Sequence, residues 1–487
     1  MVTENFRRQL RQEAEKWWQD GLIDASLYQR LSDRYHLEEI EASASNRFVT
    51  ILLSLGGILL GLGVITFVAA NWQEWSREFR VFLLISLFVG VNVAGFYLWR
   101  KPAIGRGLQR LGHGLLLTGA LILGANMALM SQMFHQSGEV FELYFIWGLG
   151  VVAMAYGLRL VSLGVLAWIL LFIGYWMWWF SGSFAQMSSW IGMVMPNMAL
   201  IASLVFVPLA YWCRRSRVLF CLSGIAFATL FVFGIKPLSI WQYREAGWLV
   251  AIAFALPPAL LWAYDSHLWQ LSRESGSRVV SPVPAPVDPF SAIARSLSVW
   301  FFSFLFYLFS FHWLWDRGFF SPSSDAWSGQ LWRHLDVFLF LVLTLLGWLR
   351  LSYRLRYLSL FQEKSVNNGA IAIFTILTAA IFFWHTSVQP LPVIAPFLVN
   401  LMLFLLAIAL IRDGLALGTR RTFWGGMSLL VLGILSRMLE YDTALLLKAF
   451  VFILCGVGVI VAGLYFERNL KPAKSALPAN SSQEGTP

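Results

Sequence analysis

Cysteine is almost missing from this chain, with three among 487 residues, and so few exclude a disulfide framework. Cys213 and Cys221 flank the turn Arg214-Arg215-Ser216-Arg217, and Cys455 lies in a late apolar run. All three read as small apolar side chains. Charge is scarce too, at 13% of residues against 58% hydrophobic. That balance excludes a water-soluble domain of this length. Acidic residues are the rarer sign, 26 against 36 basic. The resulting net charge of +10 would suit nucleic acid. The basic residues, however, sit in short loops between apolar runs, where topology accounts for them, so no nucleic-acid partner is called for. No internal repeat is visible, which leaves an inverted-repeat transporter architecture without support.

What the chain has in abundance is apolar sequence. About fourteen stretches are long enough, or nearly so, to cross a hydrocarbon core as helices. They cover 48–70, 81–99, 111–130, 143–158, 160–180, 195–212, 218–235 and 247–264, then 296–315, 334–353, 370–388, 393–411, 421–439 and 443–466. The fold class is therefore all-α, a polytopic integral membrane bundle. The loops alternate in charge. One set holds Arg100, Lys101, Arg106 and Arg110, then Arg159, then Arg214, Arg215 and Arg217, and continues so to Arg468, Lys471 and Lys474. The other set holds only Arg77, Arg80, Lys236, Arg244, Arg317 and Arg333. Slipping by one span would scramble this bias. It predicts an even number of spans, both termini in the cytoplasm, and multi-pass insertion in the cytoplasmic membrane.

Five regions follow. Residues 1–46 form a cytosolic helical hairpin, with Phe6, Leu10, Ala14, Trp17 and Trp18 at helical spacing in its first arm. Asp24 or Ser26 can cap the second arm, whose buried stripe is Leu27, Leu31 and Tyr35. The slight acidity of this head argues against a polybasic anchor and for a docking element with a cytosolic protein partner. Residues 47–265 hold a first group of about eight spans. A proline-rich cytoplasmic linker, 266–295, includes Ser281-Pro282-Val283-Pro284-Ala285-Pro286. A second group of about six spans occupies 296–467, and 468–487 is a disordered cytoplasmic tail. No cleavable leader is read, because the first apolar run begins only after residue 47. The first span is expected to double as the targeting signal.

Gly57 and Gly61, within Gly56-Gly57-Ile58-Leu59-Leu60-Gly61-Leu62-Gly63, make a small-residue face that suits close helix packing. With no strand before it and no lysine after it, this run is no phosphate loop, and no cofactor is expected. Gly119, Gly124, Gly456, Gly458 and Gly463 continue the theme. Pro257-Pro258 and Pro396 are expected to kink or break their helices. Asn92, His113, Asn126 and Asn400 are polar groups within spans. Four histidines lie near span ends on one side, His135, His312, His334 and His385, but no two are close in sequence and no metal site is read.

Three stretches gather polar groups at those same ends. Ala69-Ala70-Asn71-Trp72 closes the first span, and Asn126 leads out through Ser131-Gln132-Met133-Phe134-His135. In the last outer turn Arg437 and Glu440 stand one helical turn apart and can pair, while Lys448 enters the final span. If these span ends converge, Asn71, Gln132, His135, Glu440 and Lys448 surround one polar substrate pocket, since a lysine at that depth is best tolerated beside acceptors.

The head hairpin, the glycine-rich span ending in Ala-Ala-Asn-Trp and the Ser-Gln-Met-Phe-His exit resemble the bacterial membrane proteins catalogued as domain of unknown function 2157. The resemblance covers mainly residues 1–180, and Ser436 to Asp442 with Phe450 to Gly463 is similar to the C-terminal end of some members. It implies the membrane topology and carries no activity.

Three function classes stay open. A permease or flippase-like carrier suits the helix number, the mid-span prolines and the intramembrane polar groups. A membrane transferase or polymerase on a lipid-linked substrate would draw on Glu74, Glu78, Glu139 and Glu142, and no catalytic residue is assigned. A scaffold or sensor would use the head for docking. Membrane lipids surround the chain in every case.

Overall fold

The computed structural model describes residues 10, 13–18, 20–35, 72, 74–100, 106–135, 138–181, 194–213, 215–235, 247–265, 289–315, 335–357, 364–442 and 444–470. Among them there is no strand. A short head helix, α1 (Ala25–Tyr35), precedes thirteen apolar helices. These are α2 (Arg77–Arg100), α3 (Arg106–Met133), α4 (Val140–Leu158), α5 (Val161–Ser181), α6 (Met198–Trp212), α7 (Arg217–Ile235) and α8 (Gly247–Ala263). Then come α9 (Pro289–Phe309), α10 (Leu335–Tyr357), α11 (Lys364–Phe383), α12 (Ile394–Leu417), α13 (Arg420–Glu440) and α14 (Leu445–Leu470). A 3₁₀ turn (His312–Trp315) follows α9, and a π turn (Trp384–Val388) extends α11.

Eleven of these helices are long and apolar enough to cross a membrane, and α6 and α8 are shorter apolar helices. Helices prevail because hydrocarbon offers no partner to a backbone N–H or C=O, and a helix satisfies nearly all of its own. The chain is a polytopic all-α membrane protein. The first expected span, 48–70, with Gly57 and Gly61, lies outside the described residues. One span is shifted: 296–315 was expected, whereas α9 starts at Pro289 and ends at Phe309. Proline at the first helical position needs no donor there, and Ser291 and Arg295 extend the helix beyond its apolar portion.

The bundle is built around α8. It packs on α7, α9, α10 and α11 and is buried along most of its length. Helices from both sides of the 266–288 segment share one continuous core running from Leu116 to Leu429. Helix α14 is the opposite case. It packs on α13, and none of its apolar window is buried, as suits a helix facing lipid.

Tryptophan fastens neighbouring helices. Its indole N–H seeks an acceptor once buried, and at four positions here that acceptor sits on another helix. Trp147 donates to the Ala120 carbonyl at 2.7 Å, Trp168 to Leu222 at 3.0 Å and Trp348 to Ala259 at 3.1 Å. Trp262 donates to the Asn368 side chain at 2.8 Å.

The prolines do not break their helices. α8 runs on through Pro257 and Pro258, and the carbonyl of Pro258 accepts the Ser298 hydroxyl at 2.7 Å. Pro396 stands in the first turn of α12, where no donor is needed. Two glycine-lined contacts bring backbones close. A Cβ on Gly112 would lie 2.5 Å from the Trp99 nitrogen, and one on Gly414 2.5 Å from the Phe423 nitrogen. These pair α2 with α3 and α12 with α13. Gly119 and Gly124 also face neighbours, Asn92 and Trp147, and Gly463 faces Trp424. Gly456 and Gly458 meet nothing within 4 Å.

Contacts between distant segments join ends that the loop charges place together. At the Arg-rich end the Tyr211 and Tyr264 hydroxyls hydrogen-bond at 2.8 Å and Arg420 pairs with Glu467 at 2.7 Å. There too the Arg159 guanidinium, at a left-handed residue between α4 and α5, covers the Trp212 ring at 4.2 Å. At the Arg-poor end Trp315 meets His385 edge to face at 4.9 Å. Reporter fusions after Arg217, Arg278 and Arg356 are expected to read as cytoplasmic, and those after Glu142, Asp325 and Asp442 as external. Two consecutive loops reporting one side would overturn that orientation.

In the head, Asp24 caps α1 by accepting the Leu27 amide at 2.9 Å. That bond, with the Ser26 hydroxyl, holds its carboxyl below the ordinary 3.8. Trp18 stacks on Tyr28 at 5.4 Å. Ala14 is buried, but Leu27 is exposed rather than part of a buried stripe, as are Trp17, Trp18 and Leu22. Phe6 lies outside the described residues.

Candidate functional site

Among the described residues two charged side chains are buried, Asp336 at 1% exposure and Arg437 at 8%. Both stand at the Arg-poor end. Arg437 lies in the last turn of α13, three residues from Glu440, so one helical turn brings the two side chains together in an ion pair.

The pair is anchored to a different part of the chain. α9 ends at Phe309, and the corner into the 3₁₀ turn leaves the Ser310 carbonyl and the His312 amide without helical partners. Arg437 Nη1 donates to that carbonyl as well as to Glu440 Oε2. Glu440 Oε1 accepts the His312 amide at 2.6 Å. Phe311, between them, lies under the guanidinium, with Cζ 4.4 Å from the ring centroid. Asn400 on α12 adds a third donor, giving its Nδ2 hydrogens to the Ser310 carbonyl at 2.9 Å and to Pro396 at 2.8 Å. Three helices thus meet at one carbonyl. Arg437 Nε and Nη2 and Asn400 Oδ1 remain buried without a hydrogen-bond partner among the described residues.

Asp336 opens α10 and accepts the Val337 amide at 2.9 Å. On α5, the Tyr175 hydroxyl is buried without a hydrogen-bond partner among the described residues.

The expected pocket residues are distributed as follows. Glu440 belongs to the clasp just described. Gln132 and His135 are exposed at the end of α3, with His135 in a left-handed conformation. α3 packs mainly on α2 and α4. Lys448 is half-buried on α14, which packs on α13, and it forms no ion pair with Asp442. Asn71 lies outside the described residues. No side-chain hydrogen bond or ion pair among the described residues joins Gln132, His135, Glu440 and Lys448 to one another. Of the intramembrane polar residues, Asn126 donates to the Leu84 carbonyl at 2.8 Å and fastens α3 to α2. Asn92 donates to Phe88 within its own helix.

Sequence reasoning missed Ser310 and the His312 amide, which act through backbone and leave no side-chain signal. It also passed over Asp336, although a lone carboxylate at the head of a long apolar run was visible.

Residues 15–164 match the family model described as "Predicted membrane protein (DUF2157)". The match covers the N-terminal part of the chain. It takes in the head helix and α2 to α4, while the Arg437 clasp lies beyond it. No curated protein and no solved structure matches the chain.

Proposed function

We propose that this multi-pass membrane protein is a permease or flippase-like carrier whose outer entry lies at the Arg437 clasp. One observation carries the reading: a buried ion pair at a helix end that keeps unused donors. A purely structural bundle gains little from such a pair, because apolar residues of similar volume serve about as well. Ionisable groups within spans more often mark a substrate or ion path. The clasp also ties α13 to α9 through a few polar bonds rather than an apolar seam, which is what a closing contact requires. On the loop charges, this end faces outward.

The test is uptake by proteoliposomes. Vesicles holding the purified protein are incubated with a small-molecule extract and their contents compared by mass spectrometry with protein-free vesicles. A parallel assay follows fluorescent phospholipid moving between leaflets. The carrier reading expects at least one solute or lipid to move, and Arg437→Met to abolish the movement. If monodisperse protein in both orientations moves neither, the reading fails.

One observation favours a second reading. The exposed Trp17, Trp18, Leu22 and Leu27 on the head suit a docking element for a cytosolic protein. A scaffold of that kind would retain its cellular role when Arg437 is replaced and lose it when Trp18 is.

A further inference from the structure

We infer that the Nε–Nη2 edge of Arg437 is a binding site for a phosphate-type oxyanion. This deepens the carrier reading and rests on it for what the site is for, though binding and movement are measured separately.

The argument starts from donors. A guanidinium carries five N–H groups in a rigid plane and has no way to lose its charge. Arg437 spends Nη1 on the Ser310 carbonyl and Glu440. Its Nε and Nη2 point along one edge, and both are buried without a partner among the described residues. The hydrogens on that edge are parallel and spaced to meet two oxygens of one phosphate or carboxylate. Phe311 covers one face of the plane and fixes its orientation. A point charge such as lysine would offer no such fork.

A second orphan separates phosphate from carboxylate. Asn400 Oδ1 is a buried acceptor without a donor among the described residues, and its Nδ2 shares the Ser310 carbonyl with Arg437. Hydrogen phosphate, or a phosphate monoester as its monoanion, brings oxygens for Arg437 and a P–OH for Asn400. A carboxylate brings no such hydroxyl, and neither does the phosphodiester of a lipid head group. Glu440 is the built-in competitor, because it already holds part of the positive charge. A ligand therefore gains where Glu440 is weakened, and the two variants move binding in opposite directions.

The probes are inorganic phosphate and phosphatidylglycerol. Full-length protein in detergent is melted against increasing sodium phosphate, with sodium chloride at matched ionic strength. In parallel, native mass spectrometry counts phosphatidylglycerol against phosphatidylcholine retained from mixed nanodiscs. The inference expects a saturable phosphate-dependent rise in melting temperature. Arg437→Lys should raise the half-saturating concentration about tenfold or more, the loss of one bond of a bidentate pair. Glu440→Gln, which keeps an acceptor for the His312 amide, should lower it. Asn400→Leu should weaken phosphate binding. Arg437-dependent retention of phosphatidylglycerol, with no response to phosphate, would identify a lipid head group as the source. No response to either probe, or responses indifferent to both Arg437→Lys and Glu440→Gln, would overturn the site. Should Arg437→Lys fail to fold, failure of Glu440→Gln to tighten binding overturns it alone. Binding without uptake sinks the carrier and spares the site; uptake indifferent to phosphate does the reverse.

Discussion

Replacing Glu440 with alanine is expected to cost about 3–5 kcal/mol of stability, among the largest effects of any single truncation in the protein. The pair it breaks is shielded, with the Arg437 and Glu440 side chains 10% and 13% exposed. Removing the carboxylate leaves the guanidinium buried with only the Ser310 carbonyl as an acceptor, and it strips the His312 amide of its partner. The desolvation of that charge then has nothing to offset it. Thermal melting in detergent measures the loss. Leu446→Ala on α14, at a side chain 85% exposed, serves as the control and should change stability by less than about 0.5 kcal/mol. The double variant Arg437→Met with Glu440→Met should recover much of the loss, because two apolar side chains leave no unpaired charge. It will not recover all of it, since the His312 amide stays unsatisfied. A stable double variant that no longer binds phosphate would separate what the pair does for folding from what it does for function. Wild-type melting of Glu440→Ala would mean that the guanidinium reaches water and that the clasp is an exposed contact.

The clasp also shows where sequence reading stops. Arg437 and Glu440 could be paired from their spacing alone, because a three-residue interval on a helix is a contact. Their other partners are a carbonyl and an amide more than 120 residues away, at a corner defined by where α9 ends. Backbone groups carry no residue identity, so no motif could announce them. The spans were legible for a related reason: hydrocarbon imposes one length and one composition on every crossing helix. That constraint marks the apolar part of a helix and says nothing of its polar extension, which is why Pro289 to Arg295 fell outside the expected ninth span. The prolines were read as interruptions because local rules treat the missing donor as a break. In α8 the missing donors take the helical partners from the Ala253 and Phe254 carbonyls, and the helices packed around this buried segment hold the rod together.

Glycines pose the same question most sharply, and a pair of substitutions answers it. Gly426→Leu on α13 is expected to destabilise strongly, and Gly458→Leu on α14 hardly at all. Both residues are glycines within long apolar helices, and sequence alone gives them one reading. Lipid tails and helix faces are equally apolar, so composition cannot tell which of the two a small residue touches. The structure can. A Cβ on Gly426 would stand 2.8 Å from both the Ala407 carbonyl oxygen and the Ile411 nitrogen, which are backbone atoms of α12 and cannot rotate aside. α12 and α13 would have to separate. Overpacking of this kind costs about 1–3 kcal/mol where side chains can adjust, and more where backbone must move. Separation would also carry Arg437, three turns further along α13, away from the Ser310 carbonyl, so phosphate binding should weaken along with stability. At Gly458 nothing lies within 4 Å, and leucine there adds helix propensity on a lipid-facing surface. Melting of the two variants in one detergent decides the matter. Equal stabilities would mean that the Gly426 contact is not maintained in solution, and the close pairing of α12 with α13 would fall with it.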